Sequence, residues 1–184
     1  MAKKDIKTPL DESIQDICSI PKFFNNEYIE FSKYVISNRA CPSLIDGFKV
    51  GARKIMHAAF SGSVKYGKPV KLLNLSGDTL KYSLYAHGDS SLAGTIITMA
   101  QDFNDNLNPL AIEGQYGSLR SQIASSPRYL YVKLSKWANL IYKTDIELTE
   151  QIFDEGEYLE PKYYLPIIPT VLTSRNIGLA PGYR

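Results

Sequence analysis

The spacing of apolar residues changes character along this chain. From Asn25 to Asn38, Tyr28, Phe31, Tyr34 and Val35 recur at intervals of three and four, which predicts a helix there. Pro42 ends that region, since the residue before a proline avoids helical backbone. The stretch SLIDGFKVGARKIMHAAFSG predicts a turn at Asp46-Gly47, then a helix from about Gly51 to Phe60 that Gly62 stops. Two more helices are expected, about Leu75 to Tyr85 and Ser90 to Phe103, joined by Ala86-His87-Gly88-Asp89. Asp89 or Ser90 is the expected cap of the second. Two short helices on a glycine-containing turn make a helix-turn-helix, whose second helix is the one that can enter a major groove.

Further on the period shortens. AIEGQYGSLRSQIASSPRY reads as a loop with two glycines, and YLYVKLSKWANLIYK as an alternating strand running into an amphipathic helix. Tyr129 and Tyr131 would share one face of such a strand. From Asp145 onward β-formers and prolines dominate, and Pro161, Pro166 and Pro169 forbid a long helix. Helices followed by strands give an α+β chain. It divides into a polar arm (1–22), a main domain (23–144) and a β-rich segment (145–184).

Composition narrows the class. With 184 residues, 44% hydrophobic and 22% charged, the chain is long enough for one large or two small globular domains. No apolar stretch is long enough for a bilayer, and MAKKDIKTPLDES lacks the apolar core of a secretory signal. Two cysteines are too few for a disulfide framework or a Cys-rich zinc site, and an intracellular, cytoplasmic location fits. Net charge is only +2, but its distribution is uneven. From Phe48 to Lys81 there are seven basic residues (Lys49, Arg53, Lys54, Lys65, Lys68, Lys71, Lys81) against one acid, Asp78. Such a stretch suits a polyanion, although on charge alone a solvated surface is the better reading.

The candidate chemistry sits in SSPRYLYVKLS, where Arg128 precedes Tyr129. A free tyrosine titrates near pH ~10, so a nucleophilic phenol needs a base or a nearby cation. Arg128 is a fixed cation able to stabilise a phenolate or charge growing on phosphorus. His87 is one of only two histidines and can donate to a phosphate oxygen or accept a proton. Taken singly, an Arg-Tyr pair and a turn histidine have ordinary structural roles; their order along the chain is what argues for function.

That order resembles the DNA-cleaving subunit of type IIA DNA topoisomerases. NRACPSLIDGFKVGARKIMHAAF resembles the family's Arg-x-x-Pro-x-x-x-Asp-Gly-x-Lys-x-x-x-Arg-Lys signature, and YAHGDSSLAGTIITMAQDF its His-Gly-Asp/Glu helix-turn-helix. EGQYGSLR resembles its Gly-Gln-x-Gly-Ser/Thr loop, and ASSPRYLYVKLS its Ser-x-Arg-Tyr segment. EPKYYLPIIPTVL followed by IGLAPGY resembles the strands beyond. The matches are collinear from about Tyr34 to the last residue. The wording YLPIIPTVL is closest to the eukaryotic, viral and T-even phage branch, nearest to a phage medium subunit, which would place the chain in a host cytoplasm.

The resemblance implies a winged-helix DNA-gate domain followed by the start of a small tower region. It implies that Tyr129 attacks a DNA phosphodiester and forms a 5′-phosphotyrosyl bond, with Arg128, Arg39 and His87 around the scissile phosphate. Lys49, Arg53 and Lys54 match the basic DNA-contacting stretch, Ser90 and Ser91 open the helix that would lie along bent duplex, and Leu179 stands where relatives carry a wedging isoleucine. No Glu plus Asp-x-Asp cluster is present, so no metal ligand is expected in this chain. Mg2+ is expected from a toprim domain, and ATP binding from an ATPase domain, both on a partner subunit. Expected partners are double-stranded DNA, a second copy in a homodimer and that toprim/ATPase subunit, with no membrane. Ala86 and Gly94 depart from common family residues, and Gly94 leaves Ser90 a poor quinolone contact on its own. The chain stops where the tower begins, so strand passage by it alone is not expected. The competing expectation is a non-catalytic winged-helix DNA-binding module or a regulator of a topoisomerase.

Overall fold

The computed structural model describes residues 19–86, 88–175 and 177–180. A continuous helical run opens it: α1 (Ile20–Phe23), a π turn (Phe24–Tyr28), α2 (Ile29–Val35) and a second π turn (Ile36–Ala40). It begins five residues before the predicted Asn25, so residues 20–22 are helical rather than part of an arm. Pro21 allows this, because a proline in the first turn forfeits an N–H that has no intrahelical acceptor anyway. Only Ala40 of the run is buried, and Phe23, Phe24, Phe31 and Tyr34 keep half their surface or so in solvent.

The centre of the fold is a three-helix unit with a small sheet. α3 (Val50–Ser61) buries Ile55, Met56, Ala58 and Ala59. β1 (Val70–Lys71) leads into α4 (Leu72–Ser83), then α5 (Asp89–Ala100), which buries Leu92, Ala93, Ile96, Met99 and Ala100. α4 buries three hydroxyl residues among its leucines. Ser76, Thr79 and Ser83 each donate to the carbonyl four residues back (Leu72, Leu75 and Thr79), so none enters the core unpaired. Leu84 then takes a left-handed conformation and turns the chain toward α5. Both helices start and end one to three residues earlier than expected. Neither Asp89 nor Ser90 caps α5: its N-cap is Gly88, and no side chain bonds the first turn.

β2 (Leu110–Glu113) and β3 (Tyr131–Leu134) complete the sheet, whose order is β1-β3-β2 and whose pairs are antiparallel. Val132 lies opposite Val70 on one side and Ile112 on the other, which places the apolar face on the helices. Ala111 to Glu113, expected in a loop, therefore lie in a strand, because β3 supplies the partner that the local sequence does not reveal. Helix, strand, two helices, strand, loop, strand is a winged-helix topology, and the long loop between β2 and β3 is the wing.

The remaining chain packs onto the same core. α6 (Lys136–Tyr142) is capped by Ser135, whose hydroxyl accepts from Ala138 N–H at 3.2 Å and donates to Asn108 O at 2.6 Å. β4 (Gln151–Asp154) and β5 (Glu157–Pro161) form one hairpin, and the other described residues of the expected β-rich segment are mostly turns and irregular chain, with 3₁₀ turns at Ile146–Leu148 and Thr170–Leu172. Its prolines remove the ladder donors that further strands would need. Tyr164 from this segment joins an aromatic cluster, its ring 6.2 Å from Phe48, 5.9 Å from Phe60 and 6.0 Å from Tyr142. The molecule is α+β.

Candidate active site

The wing ends in a short stiff turn. β2 stops at Glu113, and Gly114 follows with φ +117°. A Cβ there would lie 3.0 Å from Leu130 Cδ2 and 3.4 Å from Tyr129 O, so glycine lets the two legs of the wing close. The legs are tied where Ser125 N–H donates to Gln115 O at 2.9 Å and Ser125 Oγ to Gln115 Oε1 at 2.6 Å. Pro127–Tyr129 then form one 3₁₀ turn, with Tyr129 N–H on Ser126 O at 3.0 Å. Leu130 is fully buried, and its carbonyl accepts from Leu72 N–H at 2.9 Å, which docks the turn on the start of α4.

The result is an exposed phenol on a fixed base. Tyr129 is 68% exposed and Arg128 is exposed beside it. Tyr129 precedes β3 instead of sharing a strand face with Tyr131, so the strand rule that sends sequence neighbours to opposite sides does not bind Arg128 and Tyr129. Other tyrosines contrast with it. Burial pushes the Tyr142 phenol up to about 12 against a hydrogen bond with Thr170, and burial also raises that of Tyr164, which is 1% exposed. Buried as they are, neither can meet a large substrate.

A second locus is an open groove of about 1040 Å³ between the helical run, α3, α5 and the C-terminal segment. Arg39, Lys49, Ser91, Thr95, Asp105 and Arg175 are among its lining residues; Arg128 and Tyr129 are not. The predicted residues are thus divided between the wing and this groove. Arg39 is exposed, its guanidinium carbon 5.9 Å from the centroid of the Tyr34 ring. Lys49 donates to Ile177 O at 2.5 Å and still borders the groove. Ser90 and Ser91 are exposed at the start of α5. Leu179 is 71% exposed on a segment pinned by Gly178, where an added Cβ would come within 2.3 Å of Ala40 O. His87 lies outside the described residues.

Two of the expected DNA contacts have ionic partners inside the chain. Arg53 is only 7% exposed, and its Nε and Nη2 donate to Asp46 at 2.9 and 3.2 Å. Asp46 is fully buried and also accepts from the N–H groups of Phe48 (2.9 Å) and Tyr164 (3.0 Å), while its own carbonyl accepts from Thr170 Oγ1 (2.9 Å). Arg53 therefore joins the Asp46 turn, α3 and the C-terminal segment. Lys54 borders the groove as Lys49 does, with its ammonium 2.9 Å from a carboxylate oxygen of Glu160, which is 1% exposed, and donating to Ser83 O. Conversely, sequence reasoning misses Arg175 and Asp105. Arg175 N–H donates to Asp105 Oδ1 at 2.7 Å beside Arg39's groove, and burial raises the Asp105 carboxyl against that bond. Seventy positions separate them, so no local pattern joins them.

Among the described residues no three His, Cys, Asp or Glu converge as a metal-binding group, and no helix is long and apolar enough to cross a membrane.

Comparison with known proteins adds the lineage. DNA topoisomerase 2-beta of Homo sapiens is 37% identical over 166 residues, covering 88% of this chain and 10% of that protein. The mitochondrial DNA topoisomerase 2 of Dictyostelium discoideum is 38% identical over 184 residues, 97% of this chain and 14% of that one. The crystal structure of the Plasmodium falciparum topoisomerase II DNA-binding, cleavage and re-ligation domain superposes with a TM-score of 0.77 at 36% identity, over 88% of this chain and 22% of the other. The chain spans only about a tenth of the length of such curated relatives. The family model for the DNA gyrase/topoisomerase IV A-subunit matches residues 39–184, and the chain belongs to that family.

Proposed function

We infer that this chain supplies the DNA-cleaving nucleophile of a type II topoisomerase. The observation that carries the reading is Tyr129: an exposed phenol on a 3₁₀ turn held by the buried Leu130, directly after an exposed arginine. Tyr129 Oη attacks a backbone phosphorus of double-stranded DNA. The P–O3′ bond breaks, the phenolic proton leaves to solvent or a base, and the departing 3′ oxygen gains a proton. The product is a 5′-phosphotyrosyl ester with a free 3′-hydroxyl. Religation is the reverse attack, and the retained ester makes external energy unnecessary for it.

Arg128 neutralises charge on the nonbridging oxygens at its own turn. Arg39, Lys49, Ser90, Ser91 and Arg175 hold the duplex backbone in or beside the groove, and Leu179 presses an apolar edge toward a base step. His87 belongs to the same reading as a donor to the phosphate. Mg2+ and ATP are assigned to a partner subunit with toprim and ATPase domains, and a second copy completes the gate. No step by this chain's own residues runs through the metal.

Covalent trapping tests this. The chain is incubated with supercoiled DNA, magnesium and the partner subunit, then denatured with detergent. DNA-linked protein is expected from the unaltered chain and from Tyr131→Phe, and none from Tyr129→Phe. An adduct that survives in Tyr129→Phe sinks the assignment. Salt-sensitive binding without any adduct instead favours a non-catalytic DNA-binding module.

A further inference from the structure

The basic stretch between Phe48 and Lys81 divides in two in the folded protein. Lys49, Arg53 and Lys54 have partners inside the chain. Lys65, Lys68 and Lys71 are exposed, and no ion pair among the described residues involves them. Their placement is ordered. Lys65 and Lys68 face each other as an antiparallel bridge across the turn Lys65-Tyr66-Gly67-Lys68, closed by Lys68 N–H on Lys65 O at 3.3 Å. Like charges directly opposite each other are unfavourable, and an anion between them removes that cost. Tyr66, 61% exposed, bridges to Leu134, and Lys71 stands opposite Tyr131.

The lysines therefore follow β3 away from the nucleophile. Lys71 is level with Tyr131, two residues past Tyr129, and the Lys65–Lys68 turn is level with Leu134. Three strand steps separate those levels, about 10 Å. The same length of duplex carries about three phosphates on one strand. Across the sheet Glu113 lies one strand beyond Tyr131, where Lys133 holds it at 2.6 Å, and Asp78 accepts from Ser63 N–H and Oγ at 3.0 and 2.6 Å. Two exposed tyrosines, Tyr66 and Tyr131, accompany the three lysines, so cations outnumber rings and the backbone of a duplex fits better than a single strand that needs a ring for each stacked base.

We propose that Lys65, Lys68 and Lys71, with Tyr66 between them, form a phosphate-tracking edge that holds double-stranded DNA flanking the site of attack by Tyr129. The proposal rests on the cleavage reading above. It adds a contact surface on the outer edge of the sheet, apart from the Arg39 groove, with no base specificity.

The test measures binding of the full chain to a short fluorescein-labelled duplex by anisotropy across a salt series. Lys65→Gln/Lys68→Gln/Lys71→Gln is expected to lower the slope of log affinity against log salt by about two to three, near 0.9 per lost contact. A control with equal charge loss elsewhere, Lys136→Gln/Lys143→Gln/Lys162→Gln, is expected to keep the original slope. Unaltered slope in the first variant overturns the proposal, as does an equal drop in the control. Displacement by polyglutamate as effective as by duplex also overturns it, in favour of an acidic protein partner. Salt-independent or absent binding by the unaltered chain would overturn the cleavage reading together with the edge, whereas loss of the edge alone leaves trapping through Tyr129 in place.

Discussion

Asp46 shows what a single carboxylate can hold. It accepts from Arg53 and from the backbone of Phe48 and Tyr164, and it is fully buried. Asp46→Asn removes the charge and leaves the Arg53 guanidinium buried without a counter-ion. Breaking such a pair from one side costs about 3–5 kcal/mol. For a domain of this size the melting temperature should fall by roughly 10 °C or more. Calorimetry of the variant checks this, and an unchanged midpoint would show that the pair is incidental. In the sequence Arg53 reads as a DNA contact because a basic residue in a basic stretch resembles any other. What separates Arg53 from Lys65 is a carboxylate's position in space, which charge counting along the chain does not show.

At the level of elements, much of the arrangement is readable from the chain. Helices α3, α4 and α5 follow their apolar spacing to within a few residues, since each buries one stripe on the next. The strand at Leu110–Glu113 is hidden, because its partner β3 arrives only after the whole wing. Gly114 gives the wing its own prediction. Gly114→Ala puts a Cβ into Leu130 at an unfavourable φ, a cost on the order of 1–3 kcal/mol. The strain falls on the turn that carries Tyr129, so adduct yield should drop more than global stability does. Trapping efficiency measured beside a melting curve separates the two, and equal losses in both would argue against a positioning role.

Across the whole molecule, contacts distant in sequence decide what the helices alone leave open. Glu160 reaches Lys54 from 106 positions away, and His57 sits near both. Burial lowers the His57 pKa below 6.5; Glu160 opposes that shift and Lys54 adds to it. The unfolded chain then takes up a proton near its ordinary value while the folded chain resists until lower pH. Stability should therefore decline as pH falls below about 6.5 and level off beneath the folded value. His57→Gln should flatten that part of the profile of melting midpoint against pH; an unchanged profile would assign the decline to other groups. The Tyr129 segment is legible because its order is written locally. The groove is not, because it needs Arg39, Asp105 and Arg175 brought together from three distant stretches.

The close packing of Gly178 on the Ala40 carbonyl has a mechanical consequence. One guanidinium and one apolar edge, Arg39 and Leu179, sit one residue away on either side of that contact, so they are yoked. Under the proposed function, a shift of the opening helix would carry Leu179 with it, so that the grip assigned to Arg39 and the pressure assigned to Leu179 would rise or relax together. Gly178→Ala should loosen the yoke, leaving an arginine and a leucine that no longer act in concert.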